Sequence, residues 1–249
     1  MPVTLERLQY GFDRDSRRTW RRRVETQGFD QRFSYDGLSQ VTGGARGNLN
    51  LNATAISGVP AVAEAWDYDS TGNWRGYQVD ANGAVTLDQH RVHDKGNRLT
   101  QIEGEPSPVL LDRAGRMLQV PPSAAGDWGG SLELKWDAWS RITEVKRVSD
   151  GAVLGQYFYD ALTRRTTRVV SGEVQETYYS DQWRPLEERK NNETTASAQY
   201  LWGARHRDDL VRRDRATSGS TLDETRYVLM DYYSPAAITD AVGKLYFPL

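Results

Sequence analysis

A short turn signal recurs along most of the chain and limits the folds that are open to it. In most copies, a bulky residue precedes Asp, and Gly or a small polar residue comes three positions after that Asp, while the copy at Asp181 is more divergent. Asp at the first position of a type I turn accepts backbone N–H groups, and Gly at the fourth allows positive φ. Each copy therefore predicts a chain reversal. The aligned residues are Asp13, Asp36, Asp69, Asp112, Asp137, Asp160 and Asp181.

One further copy fills the wide gap between Asp69 and Asp112. It covers Val92–Leu99, and His93 takes the place that Asp holds in the other copies. Where Gly is missing from the fourth position, small hydroxyl residues replace it, namely Ser16, Ser39, Ser140 and Thr163. The usual spacing of about 20 residues is enough for two strands and two turns.

A second set of turn signals lies between these copies. Asn82-Gly83, Asp150-Gly151 and Ser171-Gly172 are typical of tight hairpin loops, and residues such as 141–145 alternate with the period of a strand. Residues 43–63 and 106–130 break the rhythm, so we predict loops there. Helical periodicity is not sustained anywhere.

These patterns predict an all-β fold, an antiparallel β-hairpin repeat meander that forms one domain over residues 1–249. Such a sheet has two exposed edges, which favour aggregation unless they are covered. We therefore expect the sheet either to close into a barrel or to pair with a second copy as a homodimer.

Charge and composition exclude several classes of function. The 32 Lys and Arg residues nearly balance the 34 Asp and Glu residues, so no long-range field attracts nucleic acid. Since there is no Cys, disulfides, thiolate metal sites and a Cys nucleophile are excluded. We expect no membrane span, and no signal peptide in Met1–Asp13. The compartment stays open.

The turn pattern at these intervals resembles the YD repeats of Rhs proteins, teneurins and the shell-forming subunits of insecticidal toxin complexes. Its most specific part lies within residues 178–249, where Tyr179–Glu188 and Gln199–Asp214 resemble the segment that leads into the Rhs-associated core. The resemblance implies hairpins that wind into a shell around a toxin, and a secreted or cell-surface protein. The chain is far shorter than a full shell and stops before a self-cleaving core, so we expect neither encapsulation nor autoproteolysis to carry over.

Acidic residues and histidines are the candidate catalytic groups. The turn Asp residues would line one rim of the sheet, where they either cap turns or supply acid and base groups. His206 lies beside an Asp-Asp pair, which suits a general base or a metal ligand, or else a purely structural role. His90 and His93 face opposite sides of a strand and make a poor metal pair. The candidates are His93, Asp112, His206, Asp208 and Asp209.

Exposed tryptophans are the candidate ligand-binding groups, because indole rings stack on sugars, although packing is the alternative role. The candidates are Trp128, Trp139 and Trp202. The sequence contains no Gly-x-Ser-x-Gly elbow, phosphate-binding Gly-rich loop or His-Glu-x-x-His motif, so we expect no cofactor and no metal.

Two functions remain in competition. The first is a non-catalytic YD-repeat module of a bacterial Rhs-like protein, with a structural or carbohydrate-binding role. The second is a small hydrolase, a glycosidase or an esterase-type enzyme, with acids and histidines gathered in one pocket. A carbohydrate or small-molecule ligand is the expected partner in both cases, and the chain itself does not decide between them.

Overall fold

A computed structural model describes residues 6–104, 109–120, 130–231 and 233–246. These residues form strands joined by turns and contain no helix, and so none that could cross a membrane. The strands are β1 (Leu8–Phe12), β2 (Arg18–Arg23), β3 (Asp30–Tyr35), β4 (Val41–Gly47), β5 (Val62–Tyr68), β6 (Trp74–Ala81), β7 (Ala84–His93), β8 (Leu99–Ile102), β9 (Leu110–Leu111), β10 (Met117–Val120), β11 (Leu132–Trp136), β12 (Ile142–Arg147), β13 (Val153–Tyr159), β14 (Arg165–Val170), β15 (Glu173–Tyr179), β16 (Pro185–Lys190), β17 (Ala198–Trp202), β18 (Leu210–Arg215), β19 (Glu224–Asp231), β20 (Ser234–Thr239) and β21 (Leu245–Tyr246).

The strands form two antiparallel meanders, in which each strand is hydrogen-bonded to the next one along the chain. β1 to β8 make an eight-stranded sheet, and β9 to β21 make a 13-stranded sheet. This arrangement confirms the predicted all-β hairpin meander. Within the described residues neither sheet closes on itself, so the expected barrel is not observed. Pairing of two copies stays a prediction.

The chain divides into two compact units, Met1–Glu133 and Leu134–Leu249. This division does not test whether the two units fold independently. The prediction of one domain over residues 1–249 therefore stays a prediction.

Few side chains are fully buried, and the buried apolar ones are mostly small. They are Leu49, Ala53, Val109, Leu132, Ala198, Ala236 and Ala237. Large rings lie on the faces of the sheets and contact each other, as in the cluster of Trp66, Trp74 and Tyr77, whose ring centroids are 5.5 to 6.1 Å apart. Stabilisation is therefore spread over wide, half-exposed faces. The contacts that hold the hairpin ends together contribute correspondingly more to the stability of the fold.

Two of the three predicted two-residue hairpin loops are confirmed, whereas the loop that contains Asp150-Gly151 is longer, since β12 ends at Arg147 and β13 starts at Val153. Asn82 and Gly83 have φ of 53° and 83° between β6 and β7, and Ser171 and Gly172 have φ of 51° and 80° between β14 and β15. Two successive residues with positive φ make a type I′ turn, whose twist matches that of the flanking strands.

The two stretches predicted as loops contain strands, so these predictions are wrong in part. β4 runs on to Gly47 and β5 starts at Val62, which leaves a loop over residues 48–61. The second stretch contains β9 and β10. In β4 the glycines at 43 and 44 carry no side chain, so the alternation that marks a strand is lost there.

Candidate functional site

The rim turns, five-residue segments that begin at the turn Asp, contain one of the candidate carboxylates, Asp112. In the turn at Asp112, Oδ1 accepts the backbone N–H groups of Ala114 and Arg116 at 2.8 and 2.9 Å. Oδ2 accepts the Arg116 Nε–H at 2.6 Å. The Asp112 carbonyl accepts the N–H of Gly115, whose φ is 82°. Both carboxylate oxygens of Asp112 are thus occupied by hydrogen bonds that close the turn and hold its fifth residue.

The same geometry recurs at the other turns. Positive φ at the fourth position confirms the predicted role of the residues that replace Gly, with values of 61° to 67° at Ser16, Ser39, Ser140 and Thr163. An ion pair of 2.6 Å joins the first and fifth residues of five turns: Asp13 and Arg17, Asp94 and Arg98, Asp112 and Arg116, Asp137 and Arg141, and Asp160 and Arg164.

The fifth residue also reaches the next turn along the sheet. Arg17 Nη1 donates to the carbonyl of Asp36 at 3.0 Å. Arg164 Nη1 donates in the same way to the Ser180 carbonyl at 3.1 Å. Each guanidinium lies over the ring that precedes the next turn, 5.2 Å from Tyr35 and 5.4 Å from Tyr179. One Arg therefore closes its own turn and holds the following one.

The tyrosine that precedes a turn makes a bond in the opposite direction. The Tyr159 hydroxyl donates to the carbonyl of Ile142 at 2.8 Å, and the Tyr68 hydroxyl donates to the carbonyl of Val41 at 2.7 Å. In both cases the acceptor directly follows the fifth residue of the preceding turn. Tyr and Arg thus form a two-way link between neighbouring turns, which explains why the repeat needs both residue types.

Contacts within the turns lower the pKa of Asp112 and Asp94. The backbone N–H of Arg116, opposed by burial and supported by the Arg116 side chain, holds the pKa of Asp112 below its ordinary value. The Arg98 side chain is the main cause that lowers the pKa of Asp94 to about 2. Such carboxyls are ionised at neutral pH, which does not suit a general acid.

Two residues were assigned to the wrong place in the repeat. Asp94, not His93, is the turn residue: its N–H donates to the Arg98 carbonyl at 2.9 Å, and His93 pairs with Leu99 in the position that Tyr holds elsewhere. Ser180, not Asp181, begins the later turn, since its hydroxyl accepts the N–H of Arg184 at 3.1 Å. Aligning on the nearest acidic residue missed a Ser that accepts the same bonds.

A turn at Asp240 was missed altogether. Its Oδ1 accepts the N–H groups of Val242 and Lys244, and Gly243 has a φ of 81°. Thr239 precedes it instead of an aromatic residue, so the bulky part of the signal is absent. The spacing of Asp240, Gly243 and Lys244 could have revealed it.

The turn over residues 203–209 differs from the rest, since its acidic residue comes last. Asp209 is 1% exposed and accepts the Nε–H and Nη2–H groups of Arg205 at 3.1 and 2.5 Å. This pairing holds its pKa below the ordinary value. The Gly203 N–H donates to the Asp209 carbonyl at 2.7 Å. A Cβ at Gly203 would lie 2.0 Å from Asp209 Oδ2, so the close approach requires Gly.

The five candidate catalytic residues are divided between the two units. His93 and Asp112 lie in the first unit, and the other three share the 203–209 turn of the second. His206 packs edge-on against Tyr233 at 4.9 Å and lines an open depression of about 680 Å³ with Trp183 and Arg207. The described residues contain no cluster of three or more His, Asp or Glu side chains that could hold a metal. A catalytic role for any of the five stays a prediction.

The candidate tryptophans occupy different settings. Trp139 is 72% exposed, and Arg141 lies 5.2 Å from its ring. The Trp202 Nε1–H donates to the Pro185 carbonyl at 2.6 Å, so this ring replaces Tyr in the link between turns. Trp128 lies outside the described residues. Sugar binding by these rings stays a prediction.

The fold is similar to part of two solved structures. Against the crystal structure of TcdB2-TccC3, the TM-score is 0.65 at 18% sequence identity, and the match covers 97% of this chain and 13% of that chain. Against TcdB2-TccC3 without its hypervariable C-terminal region, the TM-score is also 0.65, at 17% identity and the same coverage. The chain shares the fold of this part of the two structures.

This fold resembles part of the RHS/YD-repeat shell of a Tc toxin. The chain spans 13% of the length of either matched structure, and at this identity the likeness concerns the fold alone. No family model matches the sequence, and no curated protein matches it.

Proposed function

We propose that the chain is a non-catalytic wall segment of a bacterial YD-repeat shell protein. The observation that carries this proposal is the two-way link between turns, which uses the rim carboxylates, arginines and tyrosines to hold one hairpin to the next. A wall needs this kind of repeated, local cross-link, because a wide sheet with few fully buried side chains has no single core to hold it.

The electrostatics of the rim support the same proposal over hydrolysis. Hydrolytic acid and base groups need a raised pKa or a free lone pair that faces the substrate. The carboxyls of Asp112, Asp137 and Asp160 instead have lowered pKa values, and that of Asp112 accepts three hydrogen bonds. They therefore act as fixed anions that organise backbone and guanidinium groups.

A panel of chromogenic glycosides, esters and phosphoesters, with and without chelator, tests the proposal. We expect no turnover above the buffer rate, and we expect Asp112→Asn to lower the melting temperature with no effect on any rate. The proposal fails if an activity survives clean purification and disappears in Asp112→Asn while the variant stays folded.

Limited proteolysis tests the structural part. Arg141→Gln combined with Arg164→Gln should open the hairpins over residues 137–184 to cleavage, because each arginine loses the ion pair within its turn and the bond to the next turn. Arg189→Gln is the matched control, since Arg189 pairs with Glu187 on the face of the sheet. Equal protection of all variants would contradict the wall role of the link. Sedimentation velocity on the same samples tests the predicted homodimer.

A further inference from the structure

A cationic groove crosses one face of the second unit. It has a volume of about 440 Å³ and runs from β14 to β18. Its charged lining consists of Arg165, Arg168, Lys190, Arg213, Arg215 and the single carboxylate Glu188.

Strand register brings these side chains to the same face. Arg168 pairs with Gln175, and Gln175 pairs with Lys190. Since side chains alternate between the two faces of a sheet, residues that are directly opposite each other point the same way. The sequence alone does not reveal this cluster, because its members are spread over 51 positions, from 165 to 215.

The groove carries excess positive charge, although the whole chain has a formal charge of -2. Lys190 pairs with Glu173 at 2.8 Å, and Arg213 and Arg215 share one carboxylate, that of Glu224, at 3.2 and 3.1 Å. Within the described residues, Arg165 and Arg168 form no ion pair. The charge is therefore only partly neutralised inside the protein.

Some hydrogen-bond donors of the groove arginines are not used in bonds within the described part of the protein. The Nε–H of Arg213 is buried and has no hydrogen-bond partner among the described residues. Arg168 Nε donates to the amide oxygen of Gln175 at 2.7 Å, and the rest of its guanidinium fork faces the groove side of the sheet. A guanidinium fork binds carboxylates in a bidentate manner, which a solvated lysine does less well.

The Glu188 carboxylate favours an acidic peptide over a bare polyanion as the ligand of the groove. Bare polyanions such as polyphosphate carry no donor for a carboxylate in the groove and would be repelled by it. A peptide offers backbone N–H groups to Glu188 and acidic side chains to the surrounding arginines. Four strand spacings of about 4.8 Å give a groove about 19 Å long, which fits about six extended residues.

We propose that this groove binds an extended acidic segment of a polypeptide. The acidic side chains pair with Arg165, Arg168 and Arg213, and the peptide backbone donates to Glu188. This inference goes beyond the wall function and does not depend on it.

Fluorescence anisotropy with a labelled peptide of about six glutamates tests the proposal. Arg168→Gln combined with Arg213→Gln should weaken binding about tenfold or more, because two charge-assisted contacts are lost. The matched control is Arg189→Gln combined with Arg212→Gln, which removes the same charge from arginines that pair with Glu187 and Asp214 outside the groove. Its expected loss is less than about twofold, apart from a general effect of charge.

Melting curves confirm that both double variants stay folded, and two outcomes overturn the proposal. Equal weakening by the two double variants would mean that only net charge attracts the peptide. Displacement of the peptide by inorganic tripolyphosphate at equal or lower concentration than by unlabelled peptide would assign the groove to phosphate. Neither outcome affects the wall function, which the turnover panel and proteolysis test separately.

Discussion

The rim turns at residues 137–184 and those at residues 69–116 fold alike but are linked differently. In the first region, Arg141 donates to the carbonyl of Asp160, and Tyr159 donates back to the preceding turn. In the second region, Asn73 replaces the arginine and donates to the Asn97 side chain at 3.1 Å. His93 and Leu111 there replace the tyrosine.

The difference separates two tasks within one repeat. Asp and a fourth residue with positive φ reverse the chain in both regions, so the turn is a local property of about five residues. Holding one turn to the next needs two further positions, and in the second region Asn73, His93 and Leu111 replace the Arg or Tyr found there in the first region. The region over 137–184 should therefore be the better anchored of the two.

Acid should produce the largest effect and should act on both regions, because turn carboxylates are present in both. The folded-state pKa values of Asp69, Asp94, Asp137 and Asp160 are lowered, that of Asp94 to about 2. Unfolded Asp has a pKa of about 3.9, so the carboxylates stabilise the fold above about pH 4, and this contribution is lost as the pH falls toward about 2. Thermal melts from pH 7 to pH 2 should stay flat at first and then fall steeply below about pH 4. A melting temperature that is constant down to pH 2 would contradict the role of these carboxylates.

Removing one turn carboxylate should have the next largest effect, and a similar one in both regions. Asp160→Ala and Asp94→Ala each remove the oxygen that accepts two backbone N–H groups, together with one ion pair. We expect each variant to lower the melting temperature by about 5 °C or more. Asp181→Ala is the control, because Ser180 makes the turn contacts there. A larger loss in Asp181→Ala than in Asp160→Ala would restore the alignment inferred from sequence.

Loss of a tyrosine hydroxyl tests the link in the region that has it. Tyr159→Phe removes the bond to Ile142 and should lower the free energy of unfolding by about 1 kcal/mol. Tyr178→Phe, in which the hydroxyl has no hydrogen bond among the described residues, should cost less than about 0.5 kcal/mol. Urea denaturation measures both, and equal values would mean that the hydroxyl bond adds nothing.

Restoring the tyrosine bond in the region over 69–116 should give the smallest effect, and it should raise the free energy of unfolding instead of lowering it. His93→Tyr places a hydroxyl where the carbonyl of Trp74, the residue after Asn73, is the expected acceptor. We expect a gain of about 0.5 to 1 kcal/mol in the free energy of unfolding. His93→Phe supplies the ring without the hydroxyl. A gain of the same size in both variants would assign the effect to packing.

The turns could be predicted because they depend on local chemistry, whereas the contacts across the sheet could not be predicted. Asp112 with Gly115, and Asp137 with Ser140, predicted reversals that the structure confirms, because these bonds lie within five residues. The bond from Arg164 to Ser180 depends on the distance between neighbouring hairpins, and no local pattern encodes that distance. The cationic groove was missed for the same reason, since it is formed by the register of five strands.

The candidate site shows the same limit. His206, Asp208 and Asp209 were found together because they are adjacent in sequence. Their roles differ, since Asp209 is buried against Arg205 and His206 packs on Tyr233, which lies 27 positions away. Burial and ring contacts of this kind depend on tertiary structure.

Hydrogen exchange at the fifth residue of each turn tests the central claim most directly. The N–H groups of Arg141 and Arg164 donate to the carboxylates of Asp137 and Asp160 at 3.0 and 2.9 Å. We expect protection of about 100-fold or more there, and weaker protection at Asn73 and Arg98, where the link between turns is incomplete. Exchange at the rate of an unstructured peptide at all four positions, or stronger protection at Asn73 and Arg98, would contradict the account.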